Sequence, residues 1–182
     1  MPQEPPSTES NVLPKLALLK FGTLSRSEQL MLSAANTGQW AVCGPSLNGN
    51  DPLNDPKRSN GWDQGRFIRA ELIQWVCLGH EASPLIGVSG LRVAGARITG
   101  SLDLSYGKVT FPLVFVLCHF PDHILLRDAE IDALSLQGSL VGDIFADGLR
   151  VRASVEFSNG FQTRGTVHVI GAKIGGNLLR IA

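Results

Sequence analysis

Few residues of this chain are spaced for chemistry. The stretch GLRVAGARITGSLDL places glycines at 90, 95 and 100. Gly95 and Gly100 have the GxxxxG spacing of a loop that cradles phosphate, which needs a following Lys for the phosphates and a hydroxyl for magnesium. Ser101 and Leu102 stand in those two places, so neither requirement is met. No GxGxxG follows a strand and opens a helix, so a dinucleotide site is not signalled, and no cofactor is expected.

Metal-ligating types occur in two short groups, Cys118, His119 and His123, and Cys77 with His80. Zinc takes about four convergent ligands. The repeat described below points Cys118 inward and His119 outward, so no metal site is expected. Asp103, Asp128, Asp132, Asp143, Asp147 and Glu156 fall on outward or corner positions, where carboxylates form solvated faces more readily than acid–base pairs. No Gly-x-Ser-x-Gly elbow and no Ser/His/Asp or Cys/His set is present. His168 is expected to face solvent. The residues therefore read as non-enzymatic.

The elements that must position these groups follow from composition and periodicity. The chain has 182 residues, 43% hydrophobic and 18% charged, with Lys+Arg and Asp+Glu balanced at 16 each. That suits a globular domain and removes a global electrostatic case for nucleic acid or anionic lipid. Cys43, Cys77 and Cys118 form no CxxC pair, which favours a reducing compartment. The N-terminus MPQEPPSTESN lacks signal-peptide chemistry, and LVFVLCHF at 113–120 is far short of the about 20 residues of a membrane span. A cytoplasmic protein without a membrane span is expected.

Residues 1–11 read as a disordered tail, and 12–80 as a helical N-terminal region. Ser25 and Glu28 form a capping box ahead of Leu30, Met31 and Ala34, with Gly38 as the stop. Residues 41–63 read as a long loop without periodicity. In GRFIRAELIQWVCLG the apolar residues Phe67, Ile68, Leu72, Trp75, Val76 and Leu78 predict one helix face, opposite Arg66, Arg69, Glu71 and Gln74.

From Gly90 the period changes. The apolar series Val93, Ile98, Leu104, Val109, Phe115, Phe120, Leu126, Ile131, Leu136 advances by five or six residues at every step. It continues through Val141, Ala146, Val151, Phe157, Phe161, Val169 and Ile174, with one step of eight after Phe161 that requires a bulge at 162–165. Strand and helix periods of 2 and 3.6 do not predict such steps, whereas a chain turning a corner about every five residues does. Four sides make a coil of roughly 20 to 22 residues, and coils stack at about 4.8 Å. The expected fold is mainly β, a short right-handed quadrilateral parallel β-helix of about four coils over 90–182. The preceding α-helical region caps it, with Leu72, Trp75 and Val76 covering the first coil.

The units ARI, GKV, CHF, AEI and AKI resemble a degenerate form of the pentapeptide-repeat family, which implies that right-handed β-helix. Over about 25–178 the chain also resembles a family of uncharacterised bacterial proteins often labelled membrane-associated oxidoreductases, through IRAELIQW (Ile68–Trp75) and GLRVAGARITGSLDL. The label implies a redox-linked enzyme, for which these residues offer no cofactor site. Some pentapeptide-repeat proteins mimic DNA and bind topoisomerases through an acidic surface. From Gly90 to Ala182 this chain has nine Arg/Lys and eight Asp/Glu, too neutral for that role or for nucleic acid. The reading is a non-enzymatic scaffold or protein-interaction module. Arg180 occupies an inward slot, and the last coil is expected either to be covered by a protein partner or by self-association, or to continue in a longer protein of which this chain is a shortened version.

Overall fold

A computed structural model of the chain describes residues 12–180. The tail expected at 1–11 lies outside the described residues. The body is a parallel β-solenoid of about four coils with four sheet faces, preceded by three α-helices. The first face stacks β1 (Ala41–Val42), β3 (Leu91–Ala94), β7 (Leu113–Val116), β11 (Leu134–Ser135), β15 (Val155–Phe157) and β19 (Leu178–Arg180). The second stacks β2 (Phe67–Arg69), β4 (Arg97–Thr99), β8 (His119–Phe120), β12 (Leu140–Val141) and β16 (Gln162–Thr163). The third holds β5 (Leu102–Asp103), β9 (Ile124–Leu125), β13 (Ile144–Phe145) and β17 (Val167–His168). The fourth holds β6 (Lys108–Val109), β10 (Glu130–Ile131), β14 (Arg150–Val151) and β18 (Lys173–Ile174).

Pairing of Leu91 with Leu113, Leu113 with Leu134, Leu134 with Val155 and Val155 with Leu178 gives coils of 22, 21, 21 and 23 residues. The two kinds of sequence unit take alternate faces. Apolar-x-apolar units such as Leu113-Val114-Phe115 and Leu102-Asp103-Leu104 form the first and third faces, each burying two residues. Small-x-large units such as Ala96-Arg97-Ile98 and Ala129-Glu130-Ile131 form the second and fourth, burying one large residue beside a small one at the corner. Val93, Ile98, Leu104, Val109, Phe115, Phe120, Leu126, Ile131 and Leu136 are all buried, and Phe115 meets Phe120 edge-on at 5.2 Å. Left-handed backbone recurs in two columns of corners. One runs through Gly95, Leu117, Gly138 and Asn159, the other through Tyr106, Asp128, Gly148 and Gly171. Corners that need positive φ favour Gly, Asn and Asp, the types found at six of these eight positions.

The fourth coil corrects the expected alignment. Thr163, not Phe161, pairs with Val141 and takes the inward slot of the second face. The steps of four and eight on either side of Phe161 therefore become two of six, Phe157 to Thr163 and Thr163 to Val169, with one extra residue on each side of β16. Thr163 escaped the apolar pattern because it is polar; its Oγ1 donates to the Gly142 carbonyl at 2.6 Å. Phe161 lies instead against Phe157, rings stacked at 4.7 Å.

Ahead of the coils lie α1 (Val12–Phe21), α2 (Arg26–Thr37) and α3 (Ala70–Leu78). Ser25 and Glu28 form the capping box of α2, and Gly38 ends it in left-handed conformation. The helix expected to run from Phe67 begins only at Ala70. Phe67–Arg69 pairs residue by residue with Arg97–Thr99, because adding a strand to the first coil outweighs a helical pattern that Ile68 satisfies either way. Thus β1 and β2 extend two faces by one layer, while α3 packs across β5 and β6 on the other two. Leu72, Trp75 and Val76 are buried, with Trp75 edge-on to Phe21 of α1 at 5.5 Å and donating to Glu81 Oε1. Gly107 is the small-slot residue beneath α3, where a Cβ would collide with Leu78.

Candidate functional site

The segment from Ala41, expected to be a long loop without periodicity, builds a polar interior through short turns. Three turns of 3-10 helix, Pro52–Asn54, Pro56–Gly61 and Gln64–Arg66, each start at an aspartate. Asp51, Asp55 and Asp63 accept the backbone N–H two residues on, and Pro at the first helical position follows two of them. Short polar side chains that cap a turn in this way make a segment regular without hydrophobic periodicity.

The segment lies against the second face, whose outward residues Arg97, His119, Leu140 and Gln162 align in register. Ser59 and His119 are both buried, and Ser59 Oγ makes a very short hydrogen bond with His119 Nδ1. One terminal nitrogen of Arg97 donates to Ser59 Oγ at 2.9 Å and to Asn60 Oδ1 at 2.8 Å, and stands 3.2 Å from His119 Nδ1. A guanidinium only donates, so Nδ1 is the acceptor and Ser59 hands its proton toward it. His119 thus points outward as expected from the repeat, but it is roofed by the 56–61 turn and not solvated. Burial, with the Arg97 and Arg164 cations, pushes its pKa down to about 4. The Ser–His pair has the connectivity of an activated hydroxyl. Its base is nevertheless far weaker than a general base poised near neutrality, and Ser59 is only 1% exposed. The pair is a latch that pins the segment to the coils.

A second cluster holds the other side of the segment. Arg66 is buried, stacks on Trp62 with its guanidinium carbon 3.6 Å from the ring centroid, and donates to the Gly95 and Leu53 carbonyls at 2.9 and 2.8 Å. The helical pattern placed Arg66 on a solvent face; as the last residue of a turn it faces inward. Asn54 is fully buried and donates to Ser46 and Asn48.

The other chemistry-bearing residues bond to the backbone or to neighbouring side chains. Asp122 accepts the N–H of Gly100, Asp143 that of Thr166 and Asp147 that of Ile170, each clipping one coil to the next. Glu156 accepts from Gln137 and Ser158, Asp132 pairs with Arg152, and His123 lies 3.0 Å from Asp143. His168 points outward and stacks on Phe145 at 5.1 Å. Cys43, Cys77 and Cys118 are buried and unpaired; burial pushes the Cys118 thiol up to about 12 and that of Cys77 further. Among the described residues no three His, Cys, Asp or Glu side chains converge as metal ligands, and no helix is long and apolar enough to cross a membrane. A concavity of about 560 Å³ lies on the fourth face between the rows that begin at Lys108 and Thr110.

No protein-family model, curated protein or solved structure matches the chain. The β-solenoid implied by the pentapeptide-repeat resemblance is present, while the bacterial-family label has no support from these comparisons.

Proposed function

We propose that this chain is a non-enzymatic interaction scaffold, a pentapeptide-like solenoid that associates through the open flank of its fourth coil. One observation carries the reading. Inward residues of the first three coils are buried, whereas Val169 and Leu178 of the last layers are 52% and 60% exposed. Val169 follows His168, which pairs with Phe145, so it continues the inward column of Leu104, Leu126 and Ala146. Ile170 and Leu179 add further exposed apolar surface. Among the described residues β16, β17, β18 and β19 each have one unpaired edge. Apolar surface beside free strand edges is a template for further β-structure. The buried Ser59–His119 latch, closed to solvent and holding a weak base, also favours a scaffold over a hydrolase.

The occupant we infer is a second copy, meeting flank to flank. Sedimentation equilibrium of the 182-residue chain is expected to show a dimer, and Leu179→Asp with Ile170→Lys to return it to monomer with unchanged circular dichroism. A wild-type chain that stays monomeric at about 100 µM, where even weak specific pairs associate, would sink self-association.

A further inference from the structure

The described residues contain three buried side-chain atoms with no hydrogen-bond partner: Asn54 Oδ1, Trp62 Nε1 and Arg66 Nη2. All three come from the segment roofing the second face. Buried polar groups are nearly always satisfied, so a cluster of orphans demands a cause. Two of the residues, Trp62 and Arg66, line one open cavity of about 420 Å³, together with Arg26, Cys43, Gly44, Pro45 and Leu53. Gly61 and Asp63 complete the lining, and Asp63 Oδ1 is committed to the Gly65 N–H.

Charge points the same way. Among the described residues no carboxylate lies within ion-pair distance of Arg66, although it is 93% buried (7% exposed) and its ordinary partners are two backbone carbonyls and an indole face. Asp63 and Asp51 act on Arg66 only from beyond ion-pair distance, a buried cation without a direct ion pair is costly, and a second cation, the exposed Arg26, stands on the same cavity. Backbone close to Nη2 is kept free of side chains. A Cβ on Gly44 would collide with both Arg66 Nη2 and Asn54 Oδ1, and one on Gly95 would press on the same Nη2. Nη2 carries two hydrogens, so a contact with Asn54 still leaves one to donate.

We propose that this cavity binds the oxyanion group of a small molecule, a carboxylate or a phosphate. The anion accepts from Arg66 Nη2 and from the Trp62 indole N–H, with Arg26 closing over it. Leu53, 66% exposed, stands on the rim. The preference for an anion follows from two cations against one engaged carboxylate, and a guanidinium edge suits planar or tetrahedral oxyanions.

The test titrates phosphate and acetate separately into the full chain, each against chloride at equal ionic strength, following melting temperature and tryptophan fluorescence. A saturable rise in melting temperature is expected with at least one of them, because a ligand of the folded state stabilises by mass action. The fluorescence change is expected to vanish in Trp62→Phe. Arg26→Gln, on an exposed side chain, should fold normally and weaken binding about tenfold, the loss of one charge-assisted contact. The better of the two anions identifies the ligand as phosphorylated or carboxylic. If neither anion acts beyond chloride, or if Arg26→Gln binds as tightly as the natural chain, the assignment is wrong.

Discussion

Glu28 grips Arg69 with both carboxylate oxygens, Oε1 to Nε at 2.7 Å and Oε2 to Nη2 at 3.0 Å, and so ties the first turn of α2 to the start of α3. The same carboxylate accepts the backbone N–H of Arg69 and that of Ser25, while Ser25 Oγ donates to the Phe67 carbonyl. A capping box legible from local sequence is thereby also a tertiary clamp on β2.

Replacing Glu28 with Gln is expected to cost about 2–3 kcal/mol, near the lower end for breaking a buried pair because Arg69 is partly exposed. Burial alone would raise the Glu28 pKa, but the hydrogen bonds from Arg69 and the Ser25 N–H hold it below the ordinary value. A lowered carboxylate pKa contributes stability above the unfolded value of about 4.3, and this is lost as pH falls through the folded value. Urea unfolding from pH 7 down to 3 should show that loss in the natural chain and a smaller one in Glu28→Gln.

His119 has the opposite charge logic and the same direction of pH dependence. Its folded pKa of about 4 lies below the unfolded value of about 6.5, so in between only the unfolded chain binds the proton. Stability is therefore expected to fall as pH drops from about 6.5 to about 4 and to level off below. His119→Asn should remove that slope; an unchanged slope would show that the imidazole is not held neutral.

Tyr106 sits in left-handed backbone with its side chain 78% exposed, in the corner column that continues through Asp128, Gly148 and Gly171. Tyr106→Asn should raise stability by about 0.5–1 kcal/mol, since Asn tolerates this conformation and little burial is lost. Gly90→Ala should do the reverse by about 2 kcal/mol or more, because its Cβ would collide with the Pro112 backbone at positive φ. Chemical denaturation midpoints separate the two.

Trp75→Ala is expected to destabilise by about 3 kcal/mol or more, as it empties the junction between α1 and α3. An unchanged thermal unfolding curve would remove Trp75 from any capping role.

All three cysteines should resist a thiol reagent in the native chain and react together on unfolding. Their thiols are buried, and desolvation raises the pKa of each. Rapid labelling of one thiol under native conditions would reveal local opening at that site.

The coils were legible because their signal is a repeat: Val93 to Leu136 is one apolar residue every five or six, and each is buried. The alignment slipped at Thr163 because a hydroxyl bonded to the Gly142 carbonyl of the preceding coil can fill an inward slot invisible to hydropathy. The polar clusters lay beyond reach for another reason. Ser59, Arg97 and His119 are separated by 38 and 22 residues and meet only once the 56–61 turn docks. The usable sign was the recurrence of aspartate, DP at 51 and 55 and DQG at 63, which marks capped turns and so a built segment. The strand Phe67–Arg69 was concealed by a helix pattern that shares its buried residue, Ile68.

β1 and β2 pair with strands of the first coil, Ala41 with Val93 and Phe67 with Arg97. Each later coil rests on a neighbour about 21 residues earlier, so a growing polypeptide can add them in order as they leave the ribosome. The opening layer cannot follow that order. Its two strands are synthesised before the coils but have no sheet to join until residues 91–99 emerge, and the roof over the second face waits further, for His119. The layer made before the coils is thus completed only after its own foundation has arrived from downstream.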